Sequence, residues 1–119
     1  MLILAATAAV TTPPVVKHAN GAVTIDTSTL KASEGCFGPT PLIIHLDSLE
    51  RVSKIETLPN DETPEYWQVV VEKLSTAWNG VSAQKVKDLK VDAVSGATYS
   101  SEGFISNVQA GIAYYLSEK

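Results

Sequence analysis

The stretch richest in chemistry is Val91-Asp92-Ala93-Val94-Ser95-Gly96-Ala97-Thr98-Tyr99-Ser100-Ser101. An apolar strand end leads into four small residues, and hydroxyls then open a helix. Such a turn presents backbone N–H groups and the positive end of a helix dipole, where phosphate binds readily. Gly96 and Ala97 carry little that would block an approaching group, and Thr98 and Ser100 offer hydroxyls at the same point. By residue type alone, the stretch also describes an ordinary helix cap with a glycine in its turn.

Other reactive residue types are sparse. Cys36 sits in the loop Gly35-Cys36-Phe37-Gly38-Pro39 without a neighbouring histidine or a Cys-x-x-Cys pairing, so it reads as a small packing residue rather than a catalytic thiol. One cysteine excludes an internal disulfide, and one cysteine with two histidines is too few for a usual zinc site. His45 falls in an apolar strand and His18 near the N-terminus, both expected to be structural or solvent-facing. Asp61, Glu62 and Glu65 read as a solvated helix start favoured by the dipole, ahead of any acid–base role.

The elements that must position these residues follow from patterning. A β-prone piece spans Val23-Thr24-Ile25, and Leu42-Ile43-Ile44-His45-Leu46 is a β-branched run of strand length. Asp47-Ser48 turns the chain, and Val52, Ile55 and Leu58 mark a further strand, completing a hairpin. Thr63 caps a helix with its hydroxyl and Pro64 fills the first helical position, where no N–H is needed. Trp67, Val70, Val71, Leu74 and Trp78 then form one apolar face, and Asn79-Gly80 stops the helix. A short helix is expected over Ser82 to Leu89. A last one starts near Ser100, with Ile105, Val108, Ile112, Tyr115 and Leu116 on one stripe. Trp67 and Trp78 are expected first in the core. Strands followed by helices without strict alternation indicate an α+β fold: a small antiparallel sheet with two main helices and a short third, in a single domain.

The 119 residues suit one domain, and 45% hydrophobic with 18% charged residues suits a packed core. Nine Lys and Arg against thirteen Asp and Glu leave a net charge of −4, and the basic residues are scattered. No basic stripe exists for a phosphate backbone, so nucleic-acid binding is not expected. The opening MLILAATAAVTTPP is apolar but about half the roughly 20 residues of a spanning helix. It reads either as a strand or frayed terminus, or as the stub of an export signal or membrane anchor. Residues 1–29 are accordingly set apart from a domain over 30–119.

Asp92, Ser95, Gly96, Ala97 and Thr98, followed by Ser100, resemble the flavinylation motif of the FMN-binding domain family. That family includes the C subunit of sodium-pumping NADH:quinone reductase and the G subunit of the Rnf complex. The resemblance implies that Thr98 accepts FMN through a phosphoester, made by a flavin transferase that uses FAD and a divalent metal. Gly35 to Pro41, with Gly38 and Pro39, is similar to the family's glycine-rich segment near the flavin. Asn60 to Pro64, with Glu62, Thr63 and Pro64, is similar to its Glu-Thr-Pro-Gly stretch bordering the isoalloxazine ring, although Glu65 here replaces the glycine. Tyr66 or Trp67 is a further candidate for stacking on the ring.

The function so implied is an electron-transfer module carrying FMN on Thr98, at the extracytoplasmic face of a bacterial membrane or in the periplasm. Its partners would be a flavin transferase and a membrane-bound or secreted redox protein. The alternatives are an FMN-dependent reductase acting on a small acceptor and an interaction domain that never receives flavin. A covalent link suits a carrier, because it fixes the local concentration of the cofactor permanently and leaves the redox chemistry to the flavin itself.

Overall fold

The computed structural model describes residues 13–119. The alternatives for the opening segment fall almost wholly on residues outside these. Four strands, β1 (Val15–Lys17), β2 (Val23–Asp26), β3 (Leu42–Leu46) and β4 (Val52–Thr57), form one antiparallel sheet in the order β1-β2-β3-β4. Three helices complete the α+β fold: α1 (Pro64–Leu74), α2 (Ala83–Val86) and α3 (Thr98–Ser117). β1 lies in a stretch where the sequence pattern is weak, and its pairing of Val15 with Ile25 makes it an edge strand.

Strict alternation on β2 and β3 sends Val23, Ile25, Leu42, Ile44 and Leu46 to one face, where all are buried. The register places Ile25 opposite Ile44 and Val23 opposite Leu46, so this face is continuous across the strands. α3 lies against it. Gly111 allows the close approach, since a Cβ there would stand 2.7 Å from Ile44 Cδ1. A buried polar cluster fixes the contact: Thr27 Oγ1 donates to Asn107 Oδ1 at 2.7 Å, and Asn107 Nδ2 donates to the Gly103 carbonyl at 2.9 Å. Thr27 Oγ1 also accepts the Leu42 N–H at 2.9 Å, so the group is satisfied from the sheet side as well.

Pro64 occupies the first turn of α1 as expected, but Thr63 makes no side-chain cap bond. Val70 and Leu74 are buried, with Trp67 and Val71 packed at the core margin. The helix ends at Leu74, short of Asn79-Gly80. Turns follow because the backbone finds partners elsewhere: Gly80 N–H donates to the Val52 carbonyl at 2.7 Å, and Val52 N–H to the Val81 carbonyl at 2.9 Å. Trp78 is still fully buried, stacked on Phe104 with ring centroids 6.0 Å apart. α2 is shorter than expected. Val91 to Val94 pairs with no strand among the described residues, so the motif is entered from a loop. α3 opens at Thr98 rather than near Ser100, and Phe104 joins its expected stripe as a fully buried member.

Candidate functional site

Three chain segments meet at the N-terminal end of α3. They are the loop 34–39 between β2 and β3, the β4–α1 junction at Glu62–Pro64, and the motif loop 94–97. Together they enclose a cleft of about 340 Å³. Thr63, Gly96, Ala97 and Thr98 line it, as do Cys36 and Ser100. Phe37, Tyr66 and Tyr99 complete the lining while remaining 61%, 57% and 68% exposed, so flat apolar surface is held open to solvent. No aspartate, glutamate, histidine, lysine or arginine lines the cleft.

The motif loop is shaped by backbone geometry and one serine. Gly96 has φ +84°, a left-handed conformation that side chains disfavour. Ser101 is fully buried; its hydroxyl accepts the Val94 N–H at 2.9 Å and donates to the Ala97 carbonyl at 2.7 Å, folding the loop onto the helix. No side chain caps α3. The Thr98, Tyr99 and Ser100 N–H groups have no intrahelical acceptor by the geometry of a helix start. A 20-residue helix thus points its positive end at the cleft, and its first turn holds no acidic residue to occupy that end. Thr98 is exposed at the first helical position.

Two expectations are corrected here. Ser100 does not offer its hydroxyl beside that of Thr98: it is buried and donates inward to Glu62 Oε1 at 2.5 Å. Glu62 in turn is no solvated helix-start carboxylate. It is buried, while Asp61 and Glu65 stay exposed. Its Oε1 also accepts the Cys36 N–H at 2.8 Å, and its Oε2 accepts the Phe37 N–H at 2.7 Å. Burial by itself raises the carboxyl pKa, but the Ser100 hydroxyl and the Phe37 and Cys36 amides outweigh it and hold Glu62 below the ordinary range. Gly35 makes room for this group, because a Cβ there would lie 2.3 Å from Glu62 Oε1.

The remaining expected residues fall outside the cleft lining. Pro39 lines a groove shared with Leu30 and Asn107, and Gly38 (φ +129°) closes the loop by accepting the Gly35 N–H at 2.9 Å. Pro64 lines a shallow groove with Trp67. Asp92 and Ser95 are exposed along a groove with Val69 and Lys73. Of the two stacking candidates, Tyr66 lines the cleft, whereas Trp67 packs on Phe104 at 5.8 Å between ring centroids. Cys36 is an exposed cleft residue. Phe37 and Tyr99 are the lining residues that the sequence reading missed, whereas Glu62 was expected at the site from the resemblance and only its burial was not. His18 contacts Thr24 and His45 pairs with Glu56, both away from the cleft.

Free amides at a helix start, hydroxyls and three open aromatic rings in one cleft fit a planar ring carrying a phosphate. The family model for the FMN-binding domain matches residues 35–113. The chain belongs to the FMN-binding domain family. FMN is therefore the cofactor of this flavoprotein domain, and the matched span contains every residue of the cleft. No curated protein matches the chain closely enough to serve as a relative.

Proposed function

We propose that the domain is an electron-transfer module that carries FMN on Thr98 through a phosphoester. The observation that carries this reading is the exposed Thr98 hydroxyl at the mouth of an uncapped helix N-terminus, inside a cleft rimmed by three exposed aromatic rings. The donor is FAD and the catalyst a flavin transferase. Thr98 Oγ1 bonds to the phosphorus of the FMN half, the pyrophosphate linkage breaks, AMP departs, and the hydroxyl proton leaves with it or to a base of the transferase. Once bound, FMN supplies the redox chemistry. The protein's residues hold the phosphate end with backbone N–H groups and flank the ring with Phe37, Tyr66 and Tyr99.

A carrier is favoured over a reductase because the exposed Phe37, Tyr66 and Tyr99 rings leave the cleft open to a protein partner instead of enclosing a small bound acceptor. The redox partner is proposed to be a membrane-bound or secreted protein and the location extracytoplasmic. This reading rests on the resemblance of the motif and on the apolar opening of the sequence. No helix among the described residues is long and apolar enough to cross a membrane.

Co-expression with a flavin transferase tests the attachment. Flavin fluorescence that stays with the denatured band on a gel, and is lost in Thr98→Ala, is expected. Fluorescence that survives Thr98→Ala would place the link elsewhere.

A further inference from the structure

Glu62 is the one buried carboxylate among the described residues, and it stands directly behind the cleft. Its three donors, the Cys36 and Phe37 amides and the Ser100 hydroxyl, all belong to residues that line the cleft. They come from two separate walls: the loop before β3 and the first turn of α3. A carboxylate that only accepts, from three donors and at 2.5–2.8 Å, is bonded as the ionised form. The ion pairs among the described residues are His45–Glu56, Arg51–Asp47 and Lys119–Glu50, so no cation neutralises Glu62. Gly35 leaves the space this group fills, as a Cβ there would stand 2.3 Å from Glu62 Oε1 and would have to displace the carboxylate from its donors.

We infer that Glu62 is a positioning residue of the FMN site that ties the two walls together and, as a fixed negative charge behind them, lowers the flavin's reduction potential. The inference rests on FMN occupying this cleft. Negative charge held away from water opposes further negative charge nearby. In a redox titration the electrode supplies two electrons and the solvent supplies protons. Above neutral pH fewer than two protons accompany the electrons, so charge accumulates in the cleft and Glu62 opposes it. The hydroxyl of Ser100 acts in the opposite sense, because its donated proton partly offsets that charge.

The opposed signs make the test specific. FMN-loaded full chain, prepared with a flavin transferase, is titrated spectroelectrochemically as wild type, Glu62→Gln and Ser100→Ala. Glu62→Gln is expected to favour the reduced flavin at least tenfold, about 30 mV upward for a two-electron couple. Ser100→Ala is expected to move the potential downward by a smaller amount. A merely structural loosening would move both variants the same way, and that result, or an unchanged potential in Glu62→Gln, overturns the electrostatic role. Should Glu62→Gln fail to fold, Ser100→Ala decides alone, with an unchanged or raised potential contradicting the inference.

Amide hydrogen exchange on the flavin-free protein tests the positioning role separately. The Cys36 and Phe37 amides should exchange at least tenfold faster in Glu62→Gln or, if that variant does not fold, in Glu62→Asp. Exchange unchanged at both amides overturns the clamp. If wild-type protein accepts no FMN, the proposed site itself fails and the electrostatic role fails with it, while the exchange result still decides the clamp.

Discussion

At the scale of single residues the site depends on two features that look ordinary in the sequence. Glu62 sits in an acidic cluster of a kind that is usually solvated, and nothing local signals its burial. The amides that hold it come from Cys36 and Phe37, 26 and 25 residues away, and become visible only once the loop is folded. Gly35 is the complementary feature, and Gly35→Ala should force its Cβ into the Glu62 carboxylate. A destabilisation of about 1–3 kcal/mol is expected, typical of overpacking, and urea unfolding measures it. An unchanged midpoint would show that the loop can yield without cost. By contrast, Thr98 and Gly96 were legible from the resemblance of the whole motif, because by residue type alone the same turn describes an ordinary helix cap. Thr98 and Gly96 share the cleft, whereas Asp92 and Ser95 do not line it.

At the scale of elements, α3 links the site to the core. Its first turn faces the cleft, and six residues later Phe104 packs between Trp67 and Trp78. Phe104→Ala should lower stability by about 3–5 kcal/mol, as for other large-to-small aromatic changes in a core. Thermal or denaturant unfolding checks this, and a loss below about 1 kcal/mol would contradict the packing described. β2, β3 and the buried faces of α1 and α3 were legible because periods of 2 and 3.6 appear directly in the order of residues, whereas β1 carries no such pattern and β4 keeps only a loose one. The end of α1 was not. Asn79-Gly80 carries a local stop signal, but the helix yields earlier, where Gly80 and Val81 make backbone bonds to Val52. Tertiary pairing of this kind leaves no mark in local composition, and neither does the missing hydroxyl bond at Thr63.

At the scale of the whole molecule, the two ends of α3 do different work. At 20 residues it spans about 30 Å, with the cleft at its start and an ionic cluster near its end. There Tyr115 donates to Glu50, whose carboxylate also pairs with Lys119 Nζ at 2.6 Å. The hydrogen bond from Lys119, then that from Tyr115, lowers the Glu50 pKa from 4.5 to about 2, while burial and then Glu50 raise that of Tyr115 from 10.0 to about 12. A depressed carboxyl pKa contributes stability that is full above about 4.5 and lost as pH falls toward about 2. A raised phenol pKa contributes stability below about 10 that is lost as pH rises toward about 12. Glu50→Gln should flatten the acid limb of a melting-temperature profile, leaving there the parts due to Glu62, Asp47 and Glu56. It should flatten the alkaline limb only in part, since burial still raises Tyr115, while FMN loading at the far end of α3 stays unchanged. A profile as steep as that of wild type would contradict the linkage. The central claim is attachment at Thr98, and intact mass after co-expression with a flavin transferase tests it most directly. A gain of one FMN less one water in the wild type, absent from Thr98→Ala, is the predicted result; an unmodified wild-type mass, with the transferase active on another acceptor, would contradict it.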